Sequence, residues 1–297
     1  LLIPENPPVF KNPLLLLSFF TLSGCSRVDS LLMQPSTTPS QWCDGMPCVN
    51  LPGTELILNQ PFSTFLVYLL GVMWIWAGWR FWKTRDGHTS KRLWSASLVL
   101  GGLAAFLAGT SYQAFGYELK CAGRELCLWS NWWEISYMSI QVASLNTMLA
   151  AVVFSCTQGR LKKWILVYAA VNTLIHFCIT MTGALLPNRF MISFELLVLF
   201  TIPAFIMYFA INGWRYSKYK NTMDLVLLVC WSILVATNVF YFAYLFSGYT
   251  QTLWQDGIWF SENDVLHVFM MVWVLYVGLV VEKNVSDAGK HAKQGNV

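Results

Sequence analysis

The chain has 297 residues, of which 56% are hydrophobic and 11% charged, with a formal net charge of +4. A soluble domain carries roughly 25% charged residues, so a water-soluble enzyme is excluded, and a disordered chain would have the opposite composition. The mean hydropathy of +0.50, together with 15 Trp and 12 Tyr that suit rings parked at bilayer interfaces, leaves an all-α polytopic membrane protein.

Residues 1–25 read as a leader. A mostly apolar run of nine residues, 14–22, follows Lys11 and leads into Ser23, Gly24 and Cys25. That is too short to span a bilayer comfortably and suits a secretory signal. Its end, LSGC, looks like a bacterial lipoprotein box. Either the chain is cleaved before Cys25 and the thiol lipidated, or the stub is retained uncleaved. Residues 26–61 form a polar, Pro-containing segment that carries QPSTTPSQ and the sequence CDGMPC with Cys43 and Cys48. It has no helical stripe and is expected to cap one face of the membrane domain.

Seven predominantly apolar stretches follow: 62–82, 93–115, 133–156, 164–186, 190–214, 224–246 and 264–281. Each reaches the roughly 20 residues a bilayer crossing requires. In lipid the backbone must satisfy its own hydrogen bonds, and runs this long do not alternate as barrel strands do, so these are helices. The predicted membrane domain is therefore a seven-helix bundle over 62–283, followed by a cytoplasmic tail, 284–297.

Fourteen of the 19 Lys and Arg residues fall on one side, in the segments after the first, third, fifth and seventh stretches. By the positive-inside rule that side is cytoplasmic, with the N-terminal segment outside. The cysteines agree. Cys43 and Cys48, with Cys121 and Cys127 of CAGRELC, all lie on the predicted outer, oxidising side and read as two disulfides, paired locally or across the two loops. A zinc site is the competing reading, but no loop His accompanies them and the spacing is not that of a zinc knuckle. The leader type points to a bacterial inner membrane.

Ionisable side chains inside a bilayer are costly and mark functional sites by default. Here they gather in the predicted outer half: Tyr112 and Gln113 at the end of the second stretch, Asn131 and Glu134 entering the third, His176 in the fourth, Glu195 in the fifth, Asp264 and His267 in the seventh. The convergence at one depth of those on the second, third, fifth and seventh stretches predicts a polar cavity opening outward. Asn263 and His267 are four apart and share a face, and Asp264 is spaced to orient the His267 ring. Asp224, on the other side, is placed to cap a helix.

Three of these patches, GTSYQAF (109–115), WSNWWEISY (129–137) and ENDVLHVFMMVW (262–273), resemble in order and placement the motifs of a seven-helix membrane hydrolase superfamily. It contains the alkaline ceramidases, the progestin and adipoQ receptors and the GPI-anchor lipid-remodelling proteins. The paired cysteines before the bundle look like the GPI-remodelling branch. The resemblance implies a zinc ion and its water, held for amide or ester hydrolysis in lipids by a Ser and a His on one helix, an Asp on the next and HxxxH on the last. In this chain Ser111 or Thr110 stands for the Ser, Gln113 for the first His, Glu134 for the Asp, and Asn263 and His267 for the HxxxH pair. His267, Glu134, Gln113 and Asn263 are then the zinc ligands. His267 activates water, Glu134 supplies acid or base, Ser111 steadies an oxyanion, and Asp264, His176 and Glu195 surround them.

Amide oxygens are poor ligands for zinc, so the same residues also suit a non-catalytic member that binds lipid or steadies other membrane subunits. The expected partners are membrane lipids rather than nucleic acid. Two other classes fit less well. A bis-histidine haem would need His176 and His267 at one depth, and at 1.5 Å per residue they differ by about 7 Å. A transporter would show paired mid-depth charges or matching helix breaks, and Pro203 is the only proline well inside a helix.

Overall fold

The computed structural model describes residues 27–288. The predicted leader with Cys25, and Lys290 and Lys293 of the tail, lie outside the described residues. Among those residues seven helices are long and apolar enough to cross a membrane: α1 Pro61–Lys83, α2 Thr89–Ala114, α3 Trp132–Cys156, α4 Gly159–Leu185, α5 Phe194–Tyr219, α6 Thr222–Ser247 and α7 Glu262–Asn284. Two of them contain π turns, Gly109–Ala114 at the end of α2 and Val277–Val281 one turn before the end of α7.

The seven predicted stretches correspond one to one with these helices, but several ends differ because polar residues cap them. α2 starts at Thr89, four residues early, because Asp287 accepts hydrogen bonds from the N–H groups of Thr89 (2.9 Å) and Ser90 (2.8 Å). α4 starts at Gly159, inside a basic stretch, where Lys162 Nζ lies 3.5 Å from the Phe154 ring centroid. A charged head with a long apolar stem can sit on such a surface. α5 starts at Phe194 rather than 190 because Phe190–Ile192 is a tight 3-10 turn and Ser193 caps the helix, accepting from the Leu196 N–H. Asp224 does not cap α6; Asn221 does, and Asp224 is buried in an ion pair with Arg215, at 2.9 Å.

Six helices close a ring in the order α1, α2, α3, α5, α6, α7, and α4 packs outside it, chiefly against α3. The ring interior has two halves. Toward one end it is plugged by stacked aromatics: Phe81 on Trp94 (5.4 Å between centroids), Trp94 on Trp231 (5.9 Å) and Trp231 on Tyr208 (4.2 Å). At this end the helix termini and short connections carry twelve Lys and Arg against four Asp and Glu among the described residues. We call it the basic end.

At the opposite end, the cap end, the N-terminal segment folds over the connections. Strands β1 Cys48–Asn50 and β2 Ile57–Asn59 form an antiparallel hairpin with Val49 opposite Leu58. The segment is pinned to the α2–α3 connection by Met33 N–H to Cys127 O (3.0 Å), Cys127 N–H to Thr37 O (2.8 Å) and Trp129 N–H to Leu31 O (2.8 Å). Arg189, before α5, donates to Leu32 O and to Gln34. The disulfides pair locally, Cys43 with Cys48 and Cys121 with Cys127, which resolves the alternatives left open by spacing.

The Asp287 cap has a pH consequence. Burial alone would raise this carboxyl, but hydrogen bonds from Ser90 and Thr89 and the neighbouring His88 outweigh it and hold its pKa below the usual carboxylate value. A depressed folded-state pKa contributes stability that is complete above the unfolded value of about 3.9 and is lost as pH falls through the folded one. Thermal unfolding of wild type and Asp287→Ala is therefore expected to differ by about 1 kcal/mol at neutral pH, the size of a helix cap. The difference should shrink below about pH 4; one that persists there would contradict the cap.

Candidate functional site

At the cap end, the π turn of α2 brings Ser111 and Gln113 into the bundle, both buried, while Tyr112 stays 40% exposed. Phe115 N–H reaches Thr110 O at 2.8 Å, the wide spacing of such a turn. π turns inside helices recur at functional sites. The start of α3 faces it. Asn131 caps that helix, accepting from the N–H groups of Trp133 (2.9 Å) and Glu134 (3.2 Å). Its Nδ2 donates to Ser111 Oγ at 2.7 Å, and Ser111 Oγ donates to Glu134 Oε1 at 2.8 Å.

Glu134 is also paired with Lys120, from the short helix Gly116–Lys120 after the π turn, with Nζ 2.5 Å from Glu134 Oε1. Lys120 also donates to Trp129 O (3.2 Å) and sits 5.1 Å from the Tyr112 ring centroid. Both charged side chains are buried. A carboxylate committed to a lysine and a serine in this way is a structural anchor. It ties the α2 terminus, the α3 terminus and the connection between them into one polar layer.

Below this layer, toward the basic end, the ring encloses a cavity of about 230 Å³ lined from all six ring helices. Ala108 and Tyr137, at its upper edge, are three residues along their helices from Ser111 and Glu134, about one turn, or 5 Å, deeper. Trp74 and Trp273 form part of the wall, 5.1 Å apart, and Trp273 is fixed by its Nε1 donating to Cys230 O at 3.1 Å. The lining is mainly apolar, with Tyr137, Gln141, Thr201, Asn238 and His267 as its polar exceptions. His267 is 7% exposed, and its Nδ1 has no hydrogen-bond partner. A buried polar atom without a partner is costly and uncommon.

The predicted site residues therefore separate. His267 lines the cavity; Glu134, Ser111, Gln113 and Asn263 do not. Asp264 does not orient His267. Its Oδ2 accepts from Ser261 N–H (2.6 Å) and Oγ (3.0 Å), closing a capping box at the start of α7. Gln113 is buried with its Oε1 unpartnered, and Asn263 is half-buried in the first turn of α7. Glu195 is exposed in the first turn of α5, where a carboxylate complements the helix dipole. His176 belongs to α4, outside the ring. It is buried against the edge of Phe200 at 5.2 Å, with both ring nitrogens unpartnered. It therefore does not face His267 across the cavity, as a shared haem would need.

Zinc, implied by the resemblance, does not fit these residues. Among the described residues no three His, Cys, Asp or Glu side chains are grouped to hold a metal ion. Glu134 is spent on Lys120 and Ser111, and His267 has only amide, hydroxyl and apolar neighbours in its cavity.

Sequence reasoning missed Lys120, which reads as an ordinary loop charge, and the cavity residues Tyr137, Gln141 and Asn238. A signal for the cavity was present. Gly101, Ala105 and Ala108 put small side chains on one face of α2 at helical spacing, and that face lines the void.

The comparison with curated proteins and that with solved structures find no match. A family profile matches residues 63–284, the whole helix bundle but for its first two residues, and the chain belongs to that family, described as a family of unknown function (DUF6962).

Proposed function

We propose that this protein binds a lipid-like amphiphile in the ring cavity, as a non-catalytic membrane component rather than a hydrolase. The observation that carries the reading is the cavity itself: about 230 Å³, walled by apolar side chains, with the unpartnered Nδ1 of His267 inside it. Ligand pockets combine such a wall with a few convergent polar groups that fix orientation. An acyl or isoprenoid portion would lie against Leu70, Leu234 and Phe205, and a hydroxyl or carbonyl would meet His267 with Asn238 or Gln141. A hydrolytic reading needs His267 and Glu134 at one reacting atom, and no observation favours it. The same reading sets the bundle in a bacterial inner membrane with the disulfide-bearing cap outside, supported by the basic residues at the opposite end.

The test is photo-crosslinking with a diazirine-bearing fatty alcohol. Labelled peptides are expected from the ring interior, around Leu234–Asn238 and Leu266–Met270. Ala105→Phe and Ala108→Phe, which project bulk into the void, are expected to cut that labelling about tenfold, as is His267→Leu for the loss of one buried hydrogen bond of about 1–2 kcal/mol. Labelling confined to lipid-facing positions, and unchanged in these variants, sinks the reading.

A further inference from the structure

A second recess lies at the basic end, separate from the ring cavity. It has a volume of about 400 Å³ and is bounded by the α3–α4 connection, the last turns of α5 and Ala288 after α7. Its floor is polar. Arg215 donates through Nε to both oxygens of Asp224 (2.9 and 3.2 Å) and through Nη1 to Cys156 O (2.9 Å). Among the described residues its Nη2 donates no hydrogen bond; Arg215 lines the recess, with its guanidinium carbon 5.8 Å from the Tyr219 ring centroid. Beside it the Gln158 side chain is exposed and, among the described residues, makes no hydrogen bond.

The rim is different in kind. Leu161 and Trp214 are 56% and 60% exposed, and Tyr219 is 54% exposed, so an apolar edge that faces lipid adjoins a polar floor. Asp224 neutralises Arg215, but Arg160, Lys162, Lys163, Lys218 and Lys220 flank the recess in the adjoining turns with no acidic residue among them. Lys218 Nζ lies 5.3 Å from the Trp214 centroid and 5.2 Å from that of Tyr219.

We propose that this recess holds the phosphate headgroup of an anionic phospholipid from the adjacent leaflet. A guanidinium with an unused N–H edge recognises phosphate oxygens by charge-assisted hydrogen bonds. The Gln158 amide supplies a second donor. The surrounding lysines raise the local concentration of anionic lipid, each by about 1 kcal/mol near the surface. The apolar rim of Leu161, Ile211 and Trp214 carries the first part of the acyl chains, which a free anion would not use.

The experiment is calorimetric titration of the full chain in neutral detergent with short-chain phosphatidylglycerol, the matching phosphatidylcholine, and inorganic phosphate. Phosphatidylglycerol is expected to bind saturably and about tenfold more tightly than phosphatidylcholine, which offers the same phosphate but whose choline ammonium cancels the attraction to the flanking lysines, each worth about 1 kcal/mol. Gln158→Ala and Trp214→Ala, both at exposed side chains, are expected to weaken it several-fold, and Arg215→Lys to weaken both lipids through the phosphate they share. Should Arg215→Lys fail to fold because it also disturbs Asp224, the two exposed variants carry the test. Equal affinity for the two lipids, or no loss in the exposed variants, overturns the proposal. Inorganic phosphate binding as tightly as phosphatidylglycerol overturns it as well, since the rim would then have no part.

Discussion

Replacing Glu134 with Gln is expected to destabilise the protein by about 3–5 kcal/mol, the cost of leaving one member of a buried ion pair without its partner. The substitution keeps size and a hydrogen-bond acceptor for Ser111, so the loss isolates the charge. Lys120, packed against the Tyr112 ring and bonded to Trp129 O, would remain buried without the carboxylate it is paired with among the described residues. Removing both charges in Lys120→Met/Glu134→Leu is expected to regain much of the loss, because paired removal takes away the desolvation penalty together with the attraction. Thermal or denaturant unfolding in detergent, run as a double-mutant cycle, measures the coupling. A catalytic carboxylate would behave in the opposite way: active-site charges are retained at a cost to stability, so Glu134→Gln would leave the unfolding transition in place or raise it. An unchanged transition would therefore return Glu134 to the list of reacting groups and weaken the anchor described above.

The helices were legible from sequence because the solvent dictates them. A chain in lipid must close its own backbone hydrogen bonds over about 20 residues, and seven stretches did. Their ends were less legible because the caps are tertiary. The start of α2 depends on Asp287, nearly 200 residues away in sequence, which no local pattern announces. The candidate site was half legible. Depth can be read from distance to a helix end, and on that measure Glu134, Ser111 and His267 look equivalent, with His176 about 7 Å deeper than His267. Facing cannot be read until the ring is closed. With α4 outside the ring, His176 loses any view of the cavity. With Glu134 one turn above Tyr137 and turned to Lys120, it belongs to the layer over the cavity rather than to its wall. The GTSYQAF patch did mark something real, a π turn, but that turn serves the polar layer.

The cavity exists only if the other half of the ring is solid, and Trp231 is the residue on which that half depends. It is fully buried, stacked between Trp94 and Tyr208, and its Nε1 donates to Asn212 Oδ1 at 2.9 Å. Asn212 in turn donates to Asp224 Oδ1 at 3.1 Å, so the ring stack and the Arg215–Asp224 ion pair form one unit. Trp231→Ala is expected to cost about 3 kcal/mol in packing, the low end for an aromatic truncation, because lipid is as apolar as the core and only the packing term survives. The orphaned Asn212 oxygen adds about 1–3 kcal/mol. Trp231→Phe keeps much of the stack and loses only the hydrogen bond, so about 1–3 kcal/mol is expected from that part alone. Unfolding in detergent should thus rank wild type above Trp231→Phe above Trp231→Ala. Crosslinking in the folded fraction of Trp231→Ala should spread from the cavity toward the basic end as the void deepens. Equal stability of the Phe and Ala variants would contradict the role given to the stack. Labelling that stays within the original cavity walls would mean that the ring collapses around the gap, and the plug would then not be what sets the floor of the binding site.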